Sequence, residues 1–177
     1  MNRFIIAEPQ NCIGCRTCEV ACALAHPLPG GEDMLSPANF NPRLKVIKGA
    51  RVSTPVLCRQ CDDAPCANAC PSGAIVRRDD SIQVLQERCV GCKTCMVACP
   101  YGAMEVTTVP QAAGVLKSRA AKAVALKCDL CIDNPAGPAC IASCPTKCLH
   151  MVDQQRMAAI TKQRREQAAL DVPSLPL

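Results

Sequence analysis

Sixteen of the seventeen cysteines in this 177-residue chain fall into four groups of four, and no other feature limits the fold as much. The groups are Cys12, Cys15, Cys18 and Cys22; Cys58, Cys61, Cys66 and Cys70; Cys89, Cys92, Cys95 and Cys99; and Cys128, Cys131, Cys140 and Cys144. Only Cys148 is left over. The first and third groups, CIGCRTCEVAC over 12–22 and CVGCKTCMVAC over 89–99, agree at eight of eleven places and form an internal repeat. The second and fourth follow a looser plan, C-x2-C-x4-C-x3-C-P and C-x2-C-x8-C-x3-C-P.

In a short secreted chain so many cysteines would read as a disulfide framework. The opening residues MNRFIIAEP offer no extended apolar region, no small-residue cleavage site and no twin arginine, so a reducing cytoplasm is the expected setting. There, clustered cysteines mean metal or redox chemistry. One C-x2-C pair alone would favour a structural zinc ribbon, but zinc sites need two pairs and have no use for a triplet spaced three, three and then four. A cubane cluster does: C-x2-C-x2-C lets one loop reach three iron corners while a fourth thiolate arrives from elsewhere. Four quartets therefore predict four [4Fe-4S] clusters, with the x8 gap of the fourth motif leaving room for another nuclearity there. The expected fold is α+β, two interleaved bacterial-ferredoxin-like modules with short strands, one-turn helices and a cluster-filled core. Phe4, Phe40 and Tyr101 are the only aromatics, so clusters must fill the space that rings usually occupy. Cluster binding and folding should then be one event, and the apo-chain largely disordered.

Between motifs, β-branched runs at 3–7, 75–77, 82–85 and 104–109 predict strands, with Asp79-Asp80-Ser81 as the turn of a hairpin. Pro71, Pro100 and Pro145 should stop a helix just past the last cysteine of three motifs, whereas Ala23 would let the first helix run on. Residues 24–43 read as a long surface loop, 110–123 as a basic linker, and 153–170 as a weakly amphipathic helix. The expected division is a four-cluster domain over 1–152 followed by a helix and tail over 153–177.

The formal charge of +5 counts thiols as neutral. Each cluster with its four thiolates carries about −2, so four would bring the loaded chain to about −3. Nothing then argues for nucleic acid, and no stretch is long and apolar enough to span a bilayer. No Walker loop, nucleophile elbow or dinucleotide fingerprint supports catalysis. The spare Cys148 reads as a small buried thiol, against the alternatives of spare ligand or redox sensor. Arg16 and Lys93 occupy matching places in the repeat and read as solvent-facing, with tuning of a cluster as the rival role. His26 and His150 carry no ligand pattern and read as loop or surface residues, while Tyr101 is placed to pack beside a cluster.

With its four motifs in this order, the chain resembles the four-cluster ferredoxin subunits that serve molybdenum or tungsten oxidoreductases of the dimethyl sulfoxide reductase family. The segments 12–22, 58–66 and 95–105 look closest to a soluble branch associated with formate dehydrogenase and formate hydrogenlyase, and the likeness runs over about residues 1–152. In bacterial ferredoxins the cysteine before proline serves the other cluster. The resemblance implies a nested pairing of first motif with fourth and second with third, although spacing alone would also allow first with second. The implied sets are Cys12, Cys15, Cys18 and Cys144; Cys128, Cys131, Cys140 and Cys22; Cys89, Cys92, Cys95 and Cys70; and Cys58, Cys61, Cys66 and Cys99. The implied function is electron relay from a molybdopterin formate dehydrogenase catalytic subunit to a hydrogenase, a second ferredoxin-like subunit or another acceptor. Service to another molybdopterin oxidoreductase and a role in enzyme maturation are the rival readings.

Overall fold

A helix grows from each cysteine motif, and its length follows from what succeeds the last cysteine. In the computed structural model, which describes residues 3–28, 35–37, 39–110 and 121–170, α1 spans Thr17–Ala25 and carries on past Cys22 because Ala23 permits it. The other three are about one turn long: α2 (Pro65–Asn68), α3 (Thr94–Ala98) and α4 (Ala139–Ala142). Pro71, Pro100 and Pro145 bar any extension, as expected of residues that lack an amide donor.

Among the described residues, eight short strands pair into four separate antiparallel ladders. The outermost ladder ties the two ends of the motif region together: β1 (Phe4–Ala7) lies against β8 (Leu149–Val152), with Ile5 opposite Met151 and Ile6 opposite His150. The expected hairpin forms from β4 (Ile75–Arg78) and β5 (Ser81–Val84). Asp79 and Asp80 turn it at φ 50° and 59°, the left-handed pair that a two-residue hairpin demands. Besides β8, which the strand-forming runs did not mark, two further ladders contain strands that the sequence reading lacked. β2 (Lys45–Lys48) pairs with β3 (Ser53–Val56), and β6 (Glu105–Pro110) pairs with β7 (Ala121–Leu126).

The linker expected over 110–123 is thus corrected at both ends: Pro110 closes β6 and residues 121–123 open β7, while 111–120 lie outside the described residues. AKAVAL has weak strand propensity, and pairing with β6 overrides it. The loop expected over 24–43 begins later, because Leu24 and Ala25 belong to α1; residues 29–34 and 38 are outside the described set.

Among the described residues three buried clusters result; the small third one joins Val109, Val124 and Leu126, and cysteines sit in the other two. One gathers Ile5, Leu44, Val46, Leu57, Leu130 and Leu149 around Cys18, Cys22, Cys140 and Cys148. The other gathers Ala64, Ile75, Ile82, Met104 and Ala125 around Cys66 and Cys95. Helix packing follows the same division, α1 on α4 and α2 on α3. α5 (Gln154–Leu170) starts where Asp153 Oδ1 accepts from the Arg156 amide at 2.8 Å, and none of its described residues is buried.

Candidate iron–sulfur sites

The packing of helices in pairs decides which thiols meet. α1 bears Cys18 and, one turn on, Cys22; α4 bears Cys140, with Cys144 just past its end. Because the two helices lie side by side, Cys144 reaches the loop of the first motif, and one cavity is lined by Cys12, Cys15, Cys18 and Cys144 (site I). α2 and α3 repeat the exchange. Cys99 joins Cys58, Cys61 and Cys66 around one cavity (site III), and Cys70 joins Cys89, Cys92 and Cys95 around another (site IV). Cys22, Cys128, Cys131 and Cys140 converge in the same manner (site II), close enough that burial first, and then the charges of Cys128, Cys22 and Cys131, push the Cys140 thiol up. Three cavities therefore each gather four cysteines from two motifs, and Cys22, Cys128 and Cys131 lie within electrostatic reach of Cys140.

The loops of the repeat take the same backbone shape. Gly14 and Gly91 sit at φ 67° and 71°, and Arg16 and Lys93, each next to the following helix, at 64° and 63°. Both glycines are also hemmed in: a Cβ on Gly14 would lie 2.8 Å from Ser53 Oγ, and one on Gly91 only 2.3 Å from the Cβ of Ala123. Each loop is pressed against a neighbouring ladder, and glycine fits the gap without displacing it. The Arg16 and Lys93 side chains face solvent.

Iron would suit these thiols. Burial pushes Cys18 up to about 11 and Cys128 up to about 12, and it raises Cys66 and Cys95 as well. Such groups would stay protonated without a cation nearby, while iron favours the thiolate and repays the burial. At the outer edges the trend reverses. Thr17 Oγ1 donates to Cys15 Sγ at 3.3 Å and holds that exposed thiol down, and Thr94 does the same for Cys92. The Arg43 amide donates to Cys22 Sγ at 3.3 Å, and the Gln60 amide lies 3.5 Å from Cys58 Sγ. Amide and hydroxyl donors aimed at sulfur are what a cluster uses to set its potential.

Five residues beside the sites escaped sequence reasoning. His26 is corrected from a loop or surface residue to a half-buried neighbour of site II. Its Nδ1 is 2.9 Å from the Cys22 carbonyl and 3.8 Å from Cys22 Sγ, and its Nε2 is 3.2 Å from Asp129 Oδ1, whose other oxygen accepts from Arg43. Burial works against charge on His26, but Asp129, Cys131 and Cys22 overcome it and raise its pKa to about 11. The i, i+4 spacing from Cys22 was the available signal; Asp129, 103 residues away, gave none. Glu19, 5% exposed, accepts from the Val46 amide at 2.5 Å and fixes β2 over α1. Gln60 and Lys127 lie at the join of sites II and III. Of the residues singled out beforehand, Cys148 is indeed buried, with its Sγ 3.6 Å from Cys144 Sγ. His150 pairs with Glu8 at 3.0 Å near the surface, and Tyr101 lines site III under the Arg59 guanidinium.

Residues 50–154 match the 4Fe-4S dicluster domain family, and residues 9–25 match a 4Fe-4S binding domain. The chain is 53% identical to the electron transport protein HydN of Escherichia coli strain K12, over 96% of this chain and 99% of that one. It is 52% identical to the putative electron transport protein YsaA of the same strain, over 89% and 94% of the two chains. Formate hydrogenlyase subunit 2, again of strain K12, is 41% identical over 94% and 89%. No helix among the described residues is long and apolar enough to cross a membrane. With thiols gathered in fours, donors turned toward their sulfurs and these likenesses in agreement, the chain belongs to the 4Fe-4S dicluster domain family and is an iron–sulfur electron-transfer protein.

Proposed function

We propose that the chain is a cytoplasmic four-cluster wire, with one [4Fe-4S] cluster at each of sites I to IV, carrying electrons from a molybdopterin formate dehydrogenase to a hydrogenase or another redox subunit. The observation that supports this reading is the gathering of four cysteines from two motifs around each of three cavities, with Cys22, Cys128 and Cys131 within electrostatic reach of Cys140. Sites I and II share α1 and α4, and sites III and IV share α2 and α3; two interleaved ferredoxin-like modules over 1–152 account for that exchange, with 153–177 as an appended helix and tail.

Neighbour relations give the wire an order. Cys140 of site II feels the charge of Cys18 in site I, and Cys128 of site II feels that of Cys58 in site III. Site IV adjoins site III through the paired helices that carry Cys66 and Cys95. The sequence I, II, III, IV follows, with exposed Cys15 and Cys92 at its two ends. Those ends are the natural points for a donor and an acceptor. A bound cubane takes up and releases one electron at a time. The chain's own contribution is to hold the thiols, exclude water from the inner sites and aim hydrogen bonds at sulfur. It acts as a carrier rather than a catalyst. The formate context rests on the resemblance to the formate hydrogenlyase subunit and to the electron transport proteins above.

The test is anaerobic purification with iron and acid-labile sulfide counted per chain, followed by mixing with a formate dehydrogenase and formate while reduction is watched by electron paramagnetic resonance. About sixteen irons and formate-dependent reduction of several interacting cubanes are expected. A fully folded protein holding about half that iron, or zinc instead, would overturn the four-cluster wire. Full iron with no reduction by formate would overturn the partner alone.

A further inference from the structure

At the join of the two halves lies a buried cation that the fold alone does not explain. Lys127 is 3% exposed and Gln60 is 0% exposed. The Lys127 Nζ contacts three acceptors: Gln60 Oε1 at 3.0 Å, the Ile82 carbonyl at 2.5 Å and the Cys128 carbonyl at 3.0 Å. Three acceptors suit the three donors of an ammonium and leave no place for the lone pair of a neutral amine. Gln60 locks the arrangement. Its Nε2 donates to the Cys128 carbonyl at 2.8 Å, its Oε1 also accepts from the Ile82 amide at 2.8 Å, and its backbone sits in the left-handed region at φ 49°.

Among the described residues no carboxylate pairs with this lysine. A buried charge without a counter-ion is costly, and replacing buried ions by apolar groups commonly leaves a fold no less stable. The retained ammonium therefore needs charge of opposite sign: Asp79, Asp129 and Asp133 share a cavity with it without pairing with it, and two cysteine sites adjoin it. It lines the site III cavity with Cys58, Cys61, Cys66 and Cys99, and it immediately precedes Cys128 of site II. Its charge opposes the effect of burial on both the Cys66 and the Cys128 thiols.

We propose that Lys127, held by Gln60, is a shared electrostatic bridge between sites II and III, a positioning residue that raises the reduction potential of both inner clusters and thereby eases passage of the electron between the two halves. The inference rests on the four-cluster reading above. A single positive charge beside two sites that each carry about −2 favours the added electron at either one. The electron that leaves site II on the way to site III stays within reach of the same ammonium, so crossing the join does not strand it in an uncompensated interior. Gln60 keeps the ammonium in place with its amide oxygen, and its amide nitrogen binds the peptide on the site II side.

Wild type, Lys127→Met and Lys127→Arg should be purified anaerobically, counted for iron and titrated potentiometrically with detection by electron paramagnetic resonance. Wild type holding about sixteen irons upholds the four-cluster reading on its own, and a much lower count would overturn that reading and this one together. Given full wild-type loading, Lys127→Met should lower two of the four potentials, each by at least a tenfold drop in the reduction equilibrium, which is 59 mV for one electron. The other two potentials should hold still, and Lys127→Arg should restore most of the loss. If Lys127→Met fails to load sites II and III while Lys127→Arg loads them, the need for charge is supported in another way. Four unchanged potentials in a fully loaded Lys127→Met protein, or failure of both variants to load, would mean that the side chain only fills space and would overturn the bridge.

Discussion

The loops at 12–22 and 89–99 share eight of eleven residues and the same left-handed positions, yet the protein surrounds them differently. The first is followed by Ala23, so α1 runs nine residues and its extra turn brings His26 back over site II. The second is followed by Pro100, and α3 ends after five. Glu19 in the first copy reaches out to hold β2, whereas Met96 in the second is a half-buried apolar contact. Site I has Cys148 beside it; site IV has no fifth cysteine on its walls. The shared ligand loops thus fix where three thiols point, and the variable places with the residues just outside the loops decide what each site is anchored to.

The largest test of that division concerns the two glycines. Gly91→Ala adds a left-handed penalty of about 1–2 kcal/mol, and it drives a methyl into Ala123, which cannot rotate away. We expect site IV to be lost, read as a drop of about four irons per chain. Gly14→Ala meets Ser53 Oγ at 2.8 Å, which can swing aside, and Ser53 Cβ and Lys48 Cε at 3.1 Å, which need give only a few tenths of an ångström. It should keep its iron and lose only about 1–2 kcal/mol in denaturant unfolding. Equal iron loss from both variants would show that backbone strain, not the covering ladder, is decisive.

Next in size is the end of the first helix. Ala23→Pro makes the first motif end as the other three do, removing an amide and clashing with the preceding turn at a cost of about 3 kcal/mol. The circular dichroism signal should fall by part of one helix, and site II iron should become labile as His26 leaves Asp129 and Cys22. The reverse change, Pro100→Ala, should cost under about 1 kcal/mol because α3 anchors nothing beyond its end. If Ala23→Pro unfolds at the wild-type midpoint, the extra turn is an ornament of the sequence and not a support.

This comparison also shows what could be read before the fold was known. The cysteine spacing and the three prolines carried the helices and their lengths, because both act within a few residues of chain. The hairpin at Asp79-Asp80 was legible for the same reason. By contrast β2, β3 and β7 are short, poor in strand formers or interrupted by Pro55, and they exist because a partner strand and a motif loop lie against them. The join of sites II and III was silent as well. Gln60 and Lys127 are 67 residues apart, and either alone looks like an ordinary solvated side chain. Pairing of the motifs came from resemblance, since spacing permits more than one arrangement.

A smaller effect separates the two copies at their third variable place. Glu19→Ala leaves the Val46 amide without its buried acceptor, a loss of about 1–3 kcal/mol, and it should loosen β2 over site I. Met96→Ala at the matching position exposes no polar group, so hydrogen exchange of the neighbouring β6 amides should change less than that of Val46 in Glu19→Ala. A faster Val46 amide together with retained iron is the expected result. Unchanged exchange there would mean that water replaces the carboxylate freely.

The smallest difference is expected where the copies are most alike. Thr17 and Thr94 each hydrogen-bond the exposed thiol two residues earlier, at the two ends of the proposed wire. Removing a donor to a ligand sulfur concentrates negative charge there and lowers the potential of the site. Thr17→Val should therefore lower only the potential of site I, and Thr94→Val only that of site IV, each by less than about 59 mV, the one-electron equivalent of tenfold. Similar shifts would show that the shared loop sets this part of each potential independently of its different supports. A shift confined to one end would place control in the surroundings instead, with Cys148 beside site I as the first residue to replace.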